Sequence, residues 1–251
     1  MSKITFVDID GVIWPEMPVL MEVGKVLFPQ RKSKLELKNL RTLSGKTEIN
    51  TPPLLAESEV KEIFQLYEDI EIFKYPLSDL PKILTKKLKT PISIDTRDLE
   101  KNIDYLQKSS KTSPHIFVTA RGNYTDKNRL ERDTKEFLTH YNCPPDVLYK
   151  FKGKTKGELI VDTITDQTKE ICVIEDNILE VTNIMTSLND KDVNYSFKII
   201  DYPWNQVQDN KEEFLKIFDS KYKDLDSTAF LDKLIEHIDK KIIIKLNNLS
   251  E

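Results

Sequence analysis

Apolar and polar positions fall into two regimes along this chain. From residue 95 onward the pattern is regular. His115-Ile116-Phe117-Val118-Thr119, Ile171-Cys172-Val173-Ile174 and Tyr195 to Ile200 are short β-branched or aromatic runs that read as buried strands, and Val147-Leu148-Tyr149 reads as a shorter one. Between them lie stretches with helical spacing. One is capped by Asp95 or Thr96 and runs to about Lys108, with Leu99, Ile103 and Leu106 on one face. Others are Thr125 to Tyr141, stopped by Cys143-Pro144-Pro145, then Thr155 to Thr165 and Ile178 to Leu188. Strands alternating with helices of this length predict βαβ units and a parallel sheet, an α/β fold. Ile4-Thr5-Phe6-Val7 opens the chain as another buried strand.

Residues 14–95 are less regular. Pro15, Pro18, Pro29, Pro52, Pro53, Pro76, Pro81 and Pro91 argue against long uninterrupted helices there. Lys25 to Lys46 is basic, with a turn signal at Ser44-Gly45. Short amphipathic helices are expected over Ser58 to Tyr67 and Ser78 to Leu88. The tail, about Lys211 to Lys245, is expected to add one or two helices. No internal repeat or low-complexity tract interrupts the chain.

At 251 residues the chain holds one α/β domain with an insertion, or two modest domains. No apolar run approaches a membrane span and no signal-peptide pattern opens the sequence, so no membrane association is expected. The two cysteines, Cys143 and Cys172, form no disulfide framework and no metal-ligand spacing, which makes a reducing cytoplasmic location the expectation. A net charge of −4 argues against strong non-specific nucleic-acid binding. His115, His140 and His237 share no spacing that would build a triad or zinc site, and no P-loop is present.

The first strand runs into Asp8-Ile9-Asp10-Gly11. Unpaired carboxylates ending a buried strand cost several kcal/mol. A cation opposite them is required, and a divalent metal with hard oxygen ligands is the simplest. Side chains two apart on an extended chain point the same way, so Asp8 and Asp10 suit a nucleophile paired with a general acid/base. A turn or a calcium-loop fragment would read the same on this stretch alone. Glu175-Asp176 then closes a second buried strand with a second acidic pair, and two such strand ends supply oxygen ligands for one Mg²⁺. Thr119 ends a third strand, where ligands of α/β sheets bind. Lys150, Lys152, Lys154 and Lys156 alternate through a stretch that by itself reads as a solvated basic loop.

Taken together, these residues resemble the motifs of the haloacid dehalogenase (HAD) superfamily, mostly Mg-dependent phosphatases on a Rossmann-like sheet. Hydrophobic strand-Asp8-x-Asp10-Gly11 resembles its first motif, and Thr119-Ala120-Arg121 its second. Lys156-Gly157-Glu158-Leu159 resembles the third, favouring Lys156 over Lys154, and Glu175-Asp176 is similar to the acidic-pair fourth. The resemblance covers residues 1–13 and roughly 98–205. It implies a catalytic core of residues 1–13 and 96–210. Residues 14–95 stand where family members carry a cap-like insertion, or are peripheral loops and helices without a discrete cap. The tail, 211–251, lies outside the resemblance and is expected to be a helical C-terminal extension. The resemblance further implies Asp8 as nucleophile and Asp10 as general acid/base. Thr119, Lys156 and Arg121 would hold phosphate, and Asp8, Asp10, Asp176 and Glu175 would hold Mg²⁺, Glu175 through water or a hydrogen bond.

The substrate class implied is a nucleotide or a nucleic-acid 3′-phosphate end. A sugar or metabolite phosphate is the alternative, as is a non-catalytic binding or regulatory module. Asp201-Tyr202-Pro203-Trp204-Asn205 resembles a Pro-aromatic-Asn turn of HAD-type nucleotidases, or is a loop with a packed Trp.

Overall fold

The computed structural model describes residues 2–35, 55–120, 126–150, 153–189 and 191–200, with 228–229, 232 and 243–244 in the tail. Five strands form an all-parallel sheet: β1 (Ser2–Asp8), β2 (His115–Thr119), β3 (Val147–Tyr149), β4 (Thr168–Glu175) and β5 (Asn194–Ile200). A two-residue strand, β6 (Ile243–Ile244), lies parallel along β5. The order across the sheet is β3-β2-β1-β4-β5-β6. The chain therefore builds outward from β1 through β2 and β3, then returns to the other side of β1 as β4. This reversal is the topological switch point of a Rossmann-like α/β fold, and it opens a crevice at the carboxyl ends of β1 and β4.

Seven α-helices flank the sheet among the described residues: α1 (Glu16–Leu27), α2 (Glu57–Ile70), α3 (Leu80–Leu88), α4 (Arg97–Ser109), α5 (Lys127–His140), α6 (Lys156–Thr163) and α7 (Ile178–Leu188). Strand periodicity divides the core in two. Phe6, Val118, Ile171, Val173, Phe197 and Ile199 pack against Ile160 of α6 and Val181, Ile184, Met185 and Leu188 of α7. Val7, Phe117, Cys172, Ile174 and Ile200 face the opposite layer, with α1 through α5. The described helices of the insertion belong to this second cluster. Val19 and Val23 of α1, Ile63 and Tyr67 of α2, and Leu80 and Leu84 of α3 share it with Leu99 and Ile103 of α4. No helix is long and apolar enough to cross a membrane among the described residues.

The expected strands and helices after residue 95 are found, most with ends shifted by one to three residues. Two expectations change. Helix α1 runs for twelve residues despite its prolines, because Pro15 caps it and Pro18 sits in the first turn, where no intrahelical N–H bond is lost. In the tail, Ile243–Ile244 is a strand rather than helix, in keeping with its β-branched residues. The expected turn at Ser44-Gly45 and the rest of the tail helices lie outside the described residues, as does the stretch from Asp201 to Asn205.

Helices α6 and α7 meet through Gly157. A Cβ there would lie 2.3 Å from Ser187 Oγ and 2.8 Å from the Asn183 carbonyl oxygen. Alanine gains roughly 1 kcal/mol of helix propensity over glycine, but overpacking against backbone costs about 1–3 kcal/mol. Gly157→Ala is therefore expected to lower stability by up to about 2 kcal/mol in urea denaturation, and to displace its neighbour Lys156.

Candidate active site

The site assembles at the switch point because β1 and β4 are neighbours in register. Val7 pairs with Ile174, which brings the next residues, Asp8 and Glu175, side by side. Oxygens of Asp8, Glu175 and Asp176 lie within 4.8 Å of one another. All three are nearly inaccessible to solvent, at 5%, 1% and 9% exposure. Lys156 enters the same pocket from the first turn of α6, its Nζ 2.9 Å from Asp8 Oδ1 and 2.8 Å from Glu175 Oε2. A capping box fixes where that helix begins. Thr155 Oγ1 accepts from the Glu158 amide at 3.1 Å, and Glu158 Oε2 accepts from the Thr155 amide at 2.6 Å.

Backbone amides complete the acid pocket. Ile9 N–H donates to Asp8 Oδ1 at 2.8 Å, and the Asp176 and Asn177 amides donate to Glu175 Oε1 at 3.2 Å. Gly11 has a φ of +82°, and a Cβ on it would lie 2.0 Å from Asp176 Oδ2. Only glycine permits both that backbone conformation and the approach of Asp176.

Asp10 stands apart from the three-carboxylate cluster. Its Oδ2 accepts a hydrogen bond of 3.0 Å from the Thr119 hydroxyl at the end of β2. Thr119, expected to serve phosphate, thus has its single proton directed at Asp10. Lys154, the less favoured lysine, pairs on the surface with Asp162 at 2.7 Å. Lys150 pairs with Glu180 at 2.6 Å. Arg121 lies outside the described residues.

Two features of the site have sequence signals that motif spacing leaves unused. Thr155-x-x-Glu158 is a capping box that places Lys156, not Lys154, in the first turn of a helix. Asn102 is a polar residue on the face of α4 that Leu99, Ile103 and Leu106 bury, and it reaches the Asp8–Trp14 segment.

Electrostatically the cluster is under-neutralised, since three buried carboxylates share one ammonium. Burial, then the Glu175 carboxylate, lift Asp8 well above the ordinary carboxylate range against the pull of Lys156. Burial and Asp8 do the same to Asp176. Burial pushes Glu175 up to about 7, again against Lys156. For Lys156, burial acts downward but is outweighed by Asp8 and Glu175, which hold it well above its usual value. When all four groups are ionised, two negative charges remain uncompensated. An all-oxygen donor set with that deficit fits a hard divalent cation such as Mg²⁺.

No protein-family model, curated protein or solved structure matches this chain.

Mg²⁺ is expected to raise the thermal stability of the protein, by about 2.7 kcal/mol at a hundredfold excess over its Kd. Asp176→Asn should remove that response. Without metal the same variant should melt higher than wild type at neutral pH, because it removes a carboxyl whose ionisation burial and Asp8 oppose in the folded state. Gly11→Ala, with a strained φ and Asp176 displaced, should likewise lose the Mg²⁺ response in the same melts.

Proposed function

We propose that this chain is a Mg²⁺-dependent phosphomonoester hydrolase of the HAD-like type. The observation that carries the reading is the meeting of Asp8, Glu175, Asp176 and Lys156 at the switch point, with Asp10 two residues on and held by Thr119. Packing alone does not explain three carboxylates at the ends of two buried strands with a lysine from the first turn of α6 among them, whereas phosphoryl transfer uses each of them.

In this reading an Asp8 carboxylate oxygen attacks phosphorus in line. The bond from phosphorus to the leaving oxygen breaks as Asp10 gives that oxygen its proton. Asp10, now a carboxylate, takes a proton from a water molecule whose oxygen attacks the aspartyl-phosphate. The bond from phosphorus to Asp8 then breaks, releasing phosphate. Lys156 neutralises Asp8 and the incoming phosphoryl oxygens. Thr119 holds the Asp10 carboxyl toward the reacting centre. Asp8, Asp176 and, through its hydrogen bonds, Glu175 would hold Mg²⁺, which would supply the positive charge that keeps Asp8 ionised and offsets the charge of the transferring phosphoryl group. The favoured substrate is a nucleotide or a nucleic-acid 3′-phosphate end, in line with the resemblance of Thr119-Ala120-Arg121 and Glu175-Asp176 to nucleic-acid-end phosphatases.

The test is hydrolysis of p-nitrophenyl phosphate with Mg²⁺, then a panel of nucleotides, 3′-phosphorylated oligonucleotides and sugar phosphates. Asp8→Asn is expected to lower turnover by roughly a thousandfold or more, and chelation of the metal to abolish it. Mg²⁺-induced stabilisation with no hydrolysis of any of these would instead identify a cation-binding module without turnover.

A further inference from the structure

Helix α4 carries one polar side chain into the core. Asn102 is 1% exposed and shares its face with Leu99, Ile103 and Leu106. A buried amide costs about 1–3 kcal/mol unless hydrogen-bonded, so a specific partner is expected. Asn102 Nδ2 donates to the Val12 carbonyl oxygen at 2.6 Å, across ninety residues of chain. Its Oδ1 has no hydrogen-bond partner among the described residues. The side chain is therefore retained at a net cost in the core, for a single donated bond to the segment behind Asp10.

That segment is a tight turn. Ile13 and Trp14 N–H both donate to the Ile9 carbonyl, at 3.0 and 2.9 Å, and Gly11 N–H donates to the Trp14 carbonyl at 2.8 Å. Asp10 bridges Trp14 within it. The turn's own bonds fall on the carbonyls of Ile9 and Trp14, and the Val12 carbonyl is met by Asn102. Asp10 is thus fixed from two sides, by Thr119 at its carboxyl and by Asn102 through the turn. Asp8 instead belongs to β1, which its ladders to β2 and β4 hold.

We infer that Asn102 is a positioning residue for Asp10. Through the Val12 carbonyl it sets where the Asp10 carboxyl meets the leaving oxygen. This rests on the reading of Asp10 as general acid given above. The consequence is selective: loss of Asn102 weakens protonation of the leaving group more than attack by Asp8 or cation binding.

Two aryl phosphates of similar shape separate these effects. p-Nitrophenyl phosphate releases a stabilised anion that needs little protonation, and phenyl phosphate releases a basic one that needs it. Asn102→Leu, which keeps roughly the size but has no donor, is expected to lose about tenfold more kcat/KM, which reports the steps up to departure of the leaving group, on phenyl than on p-nitrophenyl phosphate. The direction should match Asp10→Asn, with a smaller size. The Mg²⁺-induced rise in melting temperature should persist. Should Asn102→Leu fail to fold, Asn102→Ala, which also lacks the donor and introduces no bulk, carries the same test. Equal losses on both substrates, or no loss on either, would overturn the inference. If Asp8→Asn is inactive and Asp10→Asn shows the skew while the Asn102 variants do not, the inference alone falls. If Asp8→Asn keeps wild-type activity, the reading of the whole site falls with it.

Discussion

The Lys156 ammonium, held between Asp8 and Glu175, is the contact on which the rest of the site depends. Taking one charge out of water costs several kcal/mol even after relaxation, and here four are removed together. One lysine neutralises one carboxylate, which leaves the ionisation of the other two uncompensated within the cluster. The same contact ties three parts of the fold into one object: the end of β1, the end of β4 and the first turn of α6. Displacing any of them leaves an uncompensated charge in the interior.

The sheet supplies the geometry that makes this contact possible. With β4 paired directly to β1, two acidic corners 167 positions apart in the chain become neighbours at the point where the winding of the sheet reverses. Close packing supplies the remaining precision. Gly11 lets Asp176 lie against backbone, and Gly157 lets α6 sit against α7, each at a distance that a methyl group would prevent. The turn from Ile9 to Trp14 is braced by its own amides and by Asn102, while Thr119 reaches across from β2 to the Asp10 carboxyl. The described helices of the insertion share one apolar cluster with α4 and α5, so the layer behind the Asp10 turn is continuous with them.

Much of this was legible in one dimension because its causes are local. Short continuous apolar runs bounded by helical spacing define β1, β2, β4 and β5, and carboxylates at their ends have few purely structural uses, which singles out Asp8, Asp10, Glu175 and Asp176. Helix α1 was obscured because a proline count does not say where in a helix each proline falls, and Pro18 falls where it costs little. The motif favours Lys156 over Lys154, and the capping box at Thr155 is a second, independent signal in the sequence for the same choice.

What the residues determined by themselves was therefore the parallel α/β pattern and the chemical character of its strand ends, since both follow from side-chain periodicity and the cost of burying charge. Only the tertiary structure decided which ends meet. It separated Asp10 from the three-carboxylate cluster and gave Asp10 the hydrogen bond of the Thr119 hydroxyl. It also turned Asn102 from a polar interruption in a helix into the brace of the acidic turn. These are relations between groups far apart in the chain, set by strand order and close packing, and no local pattern encodes them.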